Sequence, residues 1–128
     1  MNSERELIRD LQKRFPVRPP VDVGIGDDGA VIQTDGKPVL VVTDMLLDGA
    51  HFDLATTAPE LVGRKAIAVN LSDLAAMGCW PTAGFVSIAV PKSIGNADRF
   101  LASLYDGMQN LSEQFGFTIA GGDTNSWD

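Results

Sequence analysis

Gly24-Ile25-Gly26-Asp27-Asp28-Gly29 runs straight into Ala30-Val31-Ile32-Gln33-Thr34, then Asp35-Gly36, then an apolar segment over residues 39–47. The glycine spacing matches the dinucleotide fingerprint G-x-G-x-x-G letter for letter. That fingerprint works only when a helix follows the glycines and aims its N-terminus at a pyrophosphate. Here residues 30–34 read as a strand, Asp35-Gly36 as a two-residue hairpin signal, and residues 39–47 as the returning strand. Two aspartates inside the loop would also repel a bare pyrophosphate. The fingerprint reading is therefore rejected, and a Rossmann-type oxidoreductase is dismissed if residues 30–34 are a strand. The P-loop pattern G-x-x-x-x-G-K-[ST] occurs nowhere, so any phosphate chemistry must use another device.

On the N-terminal side, Ser3 and Glu6 form a capping-box pattern. Leu7, Ile8, Leu11 and Phe15 follow at helical spacing, predicting an amphipathic helix over 4–15 that Pro16, Pro19 and Pro20 end. On the C-terminal side, residues 59–77 read as a helix apolar nearly all round, which predicts burial. Gly78 is its stop. Residues 82–90 read as a strand. Asn96 caps a helix carrying Phe100, Leu101, Leu104, Met108, Leu111 and Phe115, which Gly116 ends. Residues 117–120 form a last strand leading into Gly121-Gly122-Asp123-Thr124. A hairpin combined with strand–helix–strand predicts an α/β (α+β) domain over 1–128, a single mixed sheet with helices on one face.

The chain has 128 residues, enough for one domain with a core. Its net charge is −7, which argues against a nucleic-acid phosphate binder. Apolar runs are interrupted far short of the ~20 residues a membrane span needs. The single Cys79 permits no internal disulfide and no cysteine-based zinc site. With no secretion signal at Met1, a cytoplasmic setting is the expectation.

The acids are placed suggestively. Asp27-Asp28 sits in a tight glycine loop. Thr43-Asp44 lies inside an apolar strand, and Asp73 lies mid-helix among Leu71, Leu74, Ala75 and Ala76, with Asn70 three residues before it on the same side. Asp123 follows two glycines at a strand end. Buried carboxylates need partners, and magnesium takes hard oxygen ligands and bridges carboxylates to phosphates. Against this stand plain readings. Each loop aspartate alone is an ordinary turn, and Asn70 with Asp73 could serve a structural helix-to-strand hydrogen bond. His51, the one histidine, cannot make a histidine zinc site. Tyr105 reads more readily as helix packing.

Taken together, the segments 24–30, 42–52, 63–78 and 121–124 resemble thiamine-monophosphate kinase in order and spacing. The helix segment 70–78 is shared in looser form with aminoimidazole ribonucleotide synthetase, selenophosphate synthetase and a hydrogenase maturation factor. The Gly26-Asp27-Asp28 loop and the Gly49-Ala50-His51-Phe52 ending point to the kinase. The resemblance implies an aminoimidazole ribonucleotide synthetase N-terminal-like domain and transfer of the ATP γ-phosphoryl to thiamine monophosphate, with Mg2+ as cofactor. It implies Asp28, Thr43, Asp44, Asp73 and Asp123 as metal ligands, with Asp27 close by. It implies His51 and Asp48 toward the substrate, and Gly122, Asp123, Asn70 and Tyr105 toward the nucleotide. Val42 stands where that family often has Ser or Thr, so a ligand there would be its backbone carbonyl. The family continues with a second α/β domain, expected to be missing from this chain. The alternatives are another ATP-using enzyme of the superfamily or a non-catalytic metal- or nucleotide-binding module.

Two further expectations follow. Asp28, Asp44, Asp73 and Asp123 should converge. The apolar strands 39–47 and 82–90 read as covered on both faces, and the resemblance implies a homodimer formed through the sheet.

Overall fold

The computed structural model describes residues 4–128. Ser3, half of the expected capping box, lies outside the described residues. The chain divides into two compact units, Met1–Thr43 with Ser72–Trp80, and Asp44–Leu71 with Pro81–Asp128.

In the first unit, α1 (Glu4–Arg14) precedes β1 (Val21–Val23), β2 (Ala30–Ile32) and β3 (Val39–Val41). The three strands form an antiparallel sheet in that order. The register Ala30↔Val41, Val31↔Leu40, Ile32↔Val39 centres the turn on Asp35-Gly36, where the sequence puts it. The ladder nevertheless stops at Ile32 and Val39. Pro38 has no N–H to extend it. The Thr34 hydroxyl closes the tip instead, donating to the Lys37 carbonyl (2.7 Å) and accepting from Gly36 N–H (3.3 Å). A strand and not a helix follows Gly29, as the rejection of the dinucleotide fingerprint requires.

The second unit contains most of α2 (Pro59–Ala76), then β4 (Ala83–Pro91), α3 (Ala97–Phe115) and β5 (Thr118–Trp127). Asn96 caps α3, its side-chain oxygen accepting from Arg99 N–H (3.0 Å). Gly116 ends α3 at φ 72°, a left-handed conformation that suits glycine. Val62 and Ile67 of α2 meet Leu104, Met108 and Leu111 of α3 in a buried core, with Val86, Ile88 and Ile119 packed against it. Full burial of such a side chain is worth roughly 1.5–3 kcal/mol. The helices touch backbone to backbone. A Cβ on Gly63 would lie 1.9 Å from the Leu104 carbonyl oxygen, and one on Gly107 would lie 1.9 Å from that of Glu60.

β4 alternates. Gly84, Val86, Ile88 and Val90 are the covered side, and Ala83, Phe85, Ser87 and Ala89 are exposed. β5 pairs with it in parallel along its whole length. The register is Gly84↔Ile119, then Phe85↔Gly121 and Ser87↔Asp123, so Ala120 has no partner. Such a bulge shifts the side-chain alternation by one. Counted regularly from Ile119, Asp123 would stand opposite Ile88 on the core side. The bulge puts it opposite Ser87 on the exposed side.

The class is mixed α/β as expected, and several details differ. The strands form a three-stranded and a two-stranded sheet rather than a single mixed one. The strand expected over 39–47 pairs only through Val41, and Met45 and Leu47 are exposed. Apolar content alone does not distinguish a paired strand from an unpaired extended one. β4 is covered by this chain on one face only. α2 is not buried all round: Val62, Gly63 and Ile67 are buried, but Leu61 is exposed, because α3 covers one stripe of it. β5 runs to Trp127 instead of ending at Ala120. Its Gly, Asp, Thr and Asn residues have weak strand preference, and the ladder to β4 holds them. No helix among the described residues is long and apolar enough to cross a membrane.

Candidate functional site

The candidate residues fall in both units, and local contacts fix several of them. In the first unit, Asp27 and Asp28 occupy the loop between β1 and β2 and are exposed. Gly26 there has φ 114°, a conformation L side chains rarely adopt. Asp28 N–H donates to Asp27 Oδ1 (2.9 Å), which restrains the Asp27 carboxylate. α1 braces the loop through Gln12 Nε2, which donates to the Ile25 carbonyl (2.7 Å). The far end is packed tightly: a Cβ on Gly29 would meet Leu40 and Val42 side chains at 2.8 Å. Thr43 is exposed, and Asp73 is half-buried on α2.

In the second unit, Asp44 is exposed just past the paired part of the hairpin. Asp48 and His51 belong to a compact turn. Gly49, at φ 77°, donates its N–H to the Phe52 carbonyl (2.8 Å). Asp48 Oδ1 accepts from Leu54 N–H (2.9 Å), and His51 Nδ1 accepts from Leu47 N–H (3.0 Å). Asn70 donates from Nδ2 to the Ala66 carbonyl one turn back (2.9 Å), a bond within its own helix. Tyr105 packs against the core cluster. Gly122 passes close to β4: a Cβ there would lie 1.8 Å from the Val86 carbonyl oxygen, so only glycine fits. Asp123 is exposed, and its Oδ2 accepts from Asn125 Nδ2 (2.6 Å).

In kind, these donors suit a hard divalent cation: exposed carboxylates and a hydroxyl. In arrangement, among the described residues no three His, Cys, Asp or Glu side chains gather as a metal cluster. A shallow concavity of about 320 Å³ is lined by Pro59, Asn96, Arg99, Phe100 and Ser103, none of them a candidate.

Two residues that orient candidates are missing from the motif reading. Asn125 shares a strand face with Asp123, and a period of two would have found it had β5 been expected to continue. Lys65 of α2 donates from Nζ to the His51 carbonyl, a contact between residues 14 apart that spacing does not reveal.

Comparison with known proteins bears on this set of residues. The family model described as AIR synthase related protein, N-terminal domain, matches residues 26–128. The chain is 39% identical to thiamine-monophosphate kinase of Bacillus subtilis (strain 168) over 125 residues, covering 97% of this chain and 38% of that protein. Thiamine-monophosphate kinase of Rhodopirellula baltica is 37% identical over 133 residues, covering 98% and 42%. A solved structure described as AaThiL complexed with AMPPCP and TMP is similar at a TM-score of 0.84 and 31% identity, covering 98% of this chain and 38% of that one. The crystal structure of tt0281 from Thermus thermophilus is similar at a TM-score of 0.80 and 27% identity, covering 97% and 40%. The chain thus spans about two fifths of the length of these relatives.

Proposed function

Because the chain belongs to the AIR synthase related protein family through that family's N-terminal domain, we propose that it is the N-terminal part of a kinase converting thiamine monophosphate and ATP to thiamine diphosphate. The observation that carries this reading is the likeness, over 98% of the chain, to a structure described as a complex with AMPPCP and TMP. The curated relatives named thiamine-monophosphate kinase support it.

The acceptor in such a reaction is a phosphate already ionised at neutral pH, so no general base is needed. Positioning and neutralisation of charge are what the protein must supply. Magnesium is the cation these donors suit: Asp28, Thr43 and Asp73, with Asp27 next to Asp28, would be ligands in the first unit, and Asp44 and Asp123 in the second. When bound, it would offset the negative charge of the phosphates. The chain's own residues do the rest. The hydrogen bond from Asp28 N–H restrains the Asp27 carboxylate, and Asn125 restrains Asp123. Gly122, Asn70 and Tyr105 would meet the nucleotide beside Asp123. Asp48 and His51 face thiamine monophosphate from their turn. A homodimer formed through the exposed face of β4, where Phe85 is 77% exposed, is part of the same proposal. The cytoplasm, where ATP is abundant, is its natural setting.

The test is product formation by the longer protein that carries this chain. Magnesium-dependent conversion of thiamine monophosphate and ATP to thiamine diphosphate and ADP is expected, with Asp123→Asn lowering it by at least about a hundredfold. Absence of thiamine diphosphate, or ATP consumption with a different acceptor only, would remove the proposal.

A further inference from the structure

The turn carrying His51 is fixed in a way that selects one form of its ring. Leu47 N–H donates to His51 Nδ1 at 3.0 Å, so that nitrogen carries a lone pair and not a proton. The neutral ring then has its proton on Nε2. The same stretch closes on itself through the backbone: Ala50 N–H and His51 N–H both donate to the Leu47 carbonyl, at 3.2 and 2.9 Å. At its far end, Leu54 N–H is tied to Asp48 Oδ1. Between these ends, one side chain from outside the turn reaches its backbone. Lys65, on the second turn of α2, donates from Nζ to the His51 carbonyl.

We infer that Lys65 is a positioning residue: by holding the His51 carbonyl against α2, it keeps the ring as an Nε2–H donor aimed at an anionic phosphate oxygen of the substrate. This rests on the reading that His51 faces thiamine monophosphate. The physical argument is one of order. A turn of this length at the surface, with glycine at its bend, has many conformations of similar energy. Its internal hydrogen bonds specify its shape but do not attach it to the rest of the unit. Phe52 and Leu54 anchor it through packing on the core cluster, and Lys65 anchors the carbonyl of the histidine itself. A cationic donor to a carbonyl is stronger than a neutral one. Lys65 is exposed, and its hydrogen bond goes to the His51 carbonyl rather than to a candidate metal ligand.

The experiment compares this chain with its Lys65→Met and Lys65→Arg variants, the first removing the donor at nearly constant length and the second retaining one. The chain has one histidine, so ¹⁵N labelling gives a single pair of ring resonances. The wild type should show the Nε2–H pattern with an acceptor-type Nδ1. Lys65→Met should mix the tautomers and speed exchange of the Leu47 amide by about tenfold, and Lys65→Arg should restore both. In the longer protein, Lys65→Met should raise the KM for thiamine monophosphate by about tenfold, with kcat and the KM for ATP little changed. Ring signals and Leu47 exchange unchanged in Lys65→Met would overturn the positioning role. A turn that loosens with no change in that KM would overturn the placement of His51 at the substrate. Failure of the wild-type longer protein to make thiamine diphosphate at all would instead remove the functional reading beneath both.

Discussion

Asp123 stands opposite Ser87 in the β4–β5 ladder, although Ile119, four residues before it, faces the core. In a regular strand, residues four apart share a face. Unpaired Ala120 breaks that rule and leaves the carboxylate in solvent. Deleting Ala120 alone removes the bulge but keeps Asp123 opposite Ser87, so the fold and any response to magnesium should survive. Deleting Ala120 and Gly121 together puts Asp123 opposite Val86, on the core side. That should lower stability by at least about 2 kcal/mol and abolish any magnesium-induced rise in melting temperature. Thermal melts with and without magnesium decide the matter. Equal behaviour of the two deletions would contradict the register.

Asn125 holds Asp123 by a 2.6 Å hydrogen bond along the same strand face. Asn125→Ala should leave the melting temperature of the metal-free protein nearly unchanged, since both residues are exposed. It should weaken magnesium binding by about ten- to a hundredfold, the usual effect of removing a residue that orients a ligand. Calorimetric titration of magnesium into the longer protein reads this directly, and an unchanged affinity would place Asp123 outside the metal site.

Gly63 and Gly107 are the points where α2 and α3 have no room for a methyl group. Gly63→Ala and Gly107→Ala should each destabilise the protein by roughly 1–3 kcal/mol or more, the scale of overpacking a close-packed core. Gly95, with nothing within 4 Å of a built Cβ, is the control: Gly95→Ala should change the melting temperature little. Melts of the three variants side by side give the comparison.

Phe85 is 77% exposed on the outward face of β4. If two copies of the chain pair through that face, Phe85→Asp should convert a dimer to a monomer while the far-ultraviolet circular dichroism stays the same. Light scattering at micromolar concentration measures the mass. A wild-type monomer, or a Phe85→Asp dimer, would exclude that pairing.

Much of this arrangement is legible in the residues because local signals are strong. Asp35-Gly36 marks the hairpin centre, Asn96 and Gly116 bracket α3, and the strand expected after Gly29, which argues against a dinucleotide site, is present as β2. The long β5 is not legible, because Gly121-Gly122-Asp123-Thr124-Asn125 has the composition of a loop and becomes a strand only through its partner β4. The exposed side of α2 is hidden for a similar reason. Its apolar residues say that something covers it, whereas the number of helices available to do so is a property of the whole chain. The candidate site is legible as chemistry, in Asp27, Asp28, Asp44, Asp73 and Asp123. The orienting contacts of Lys65 and Asn125 depend on distances that no motif encodes.

The glycine contacts between α2 and α3 also bear on mechanics. Helices that rest on long side chains slide past one another by small adjustments of those chains, the shear motion by which many domains accommodate a ligand. Where carbonyl oxygens sit in the space a Cβ would occupy, that compliant layer is missing, and translation along the contact would drive backbone into backbone. The stretch of α2 around Gly63 and its neighbour α3 should therefore behave as a single stiff beam. Any give in this unit is left to the segments at its ends, among them the turn that presents His51.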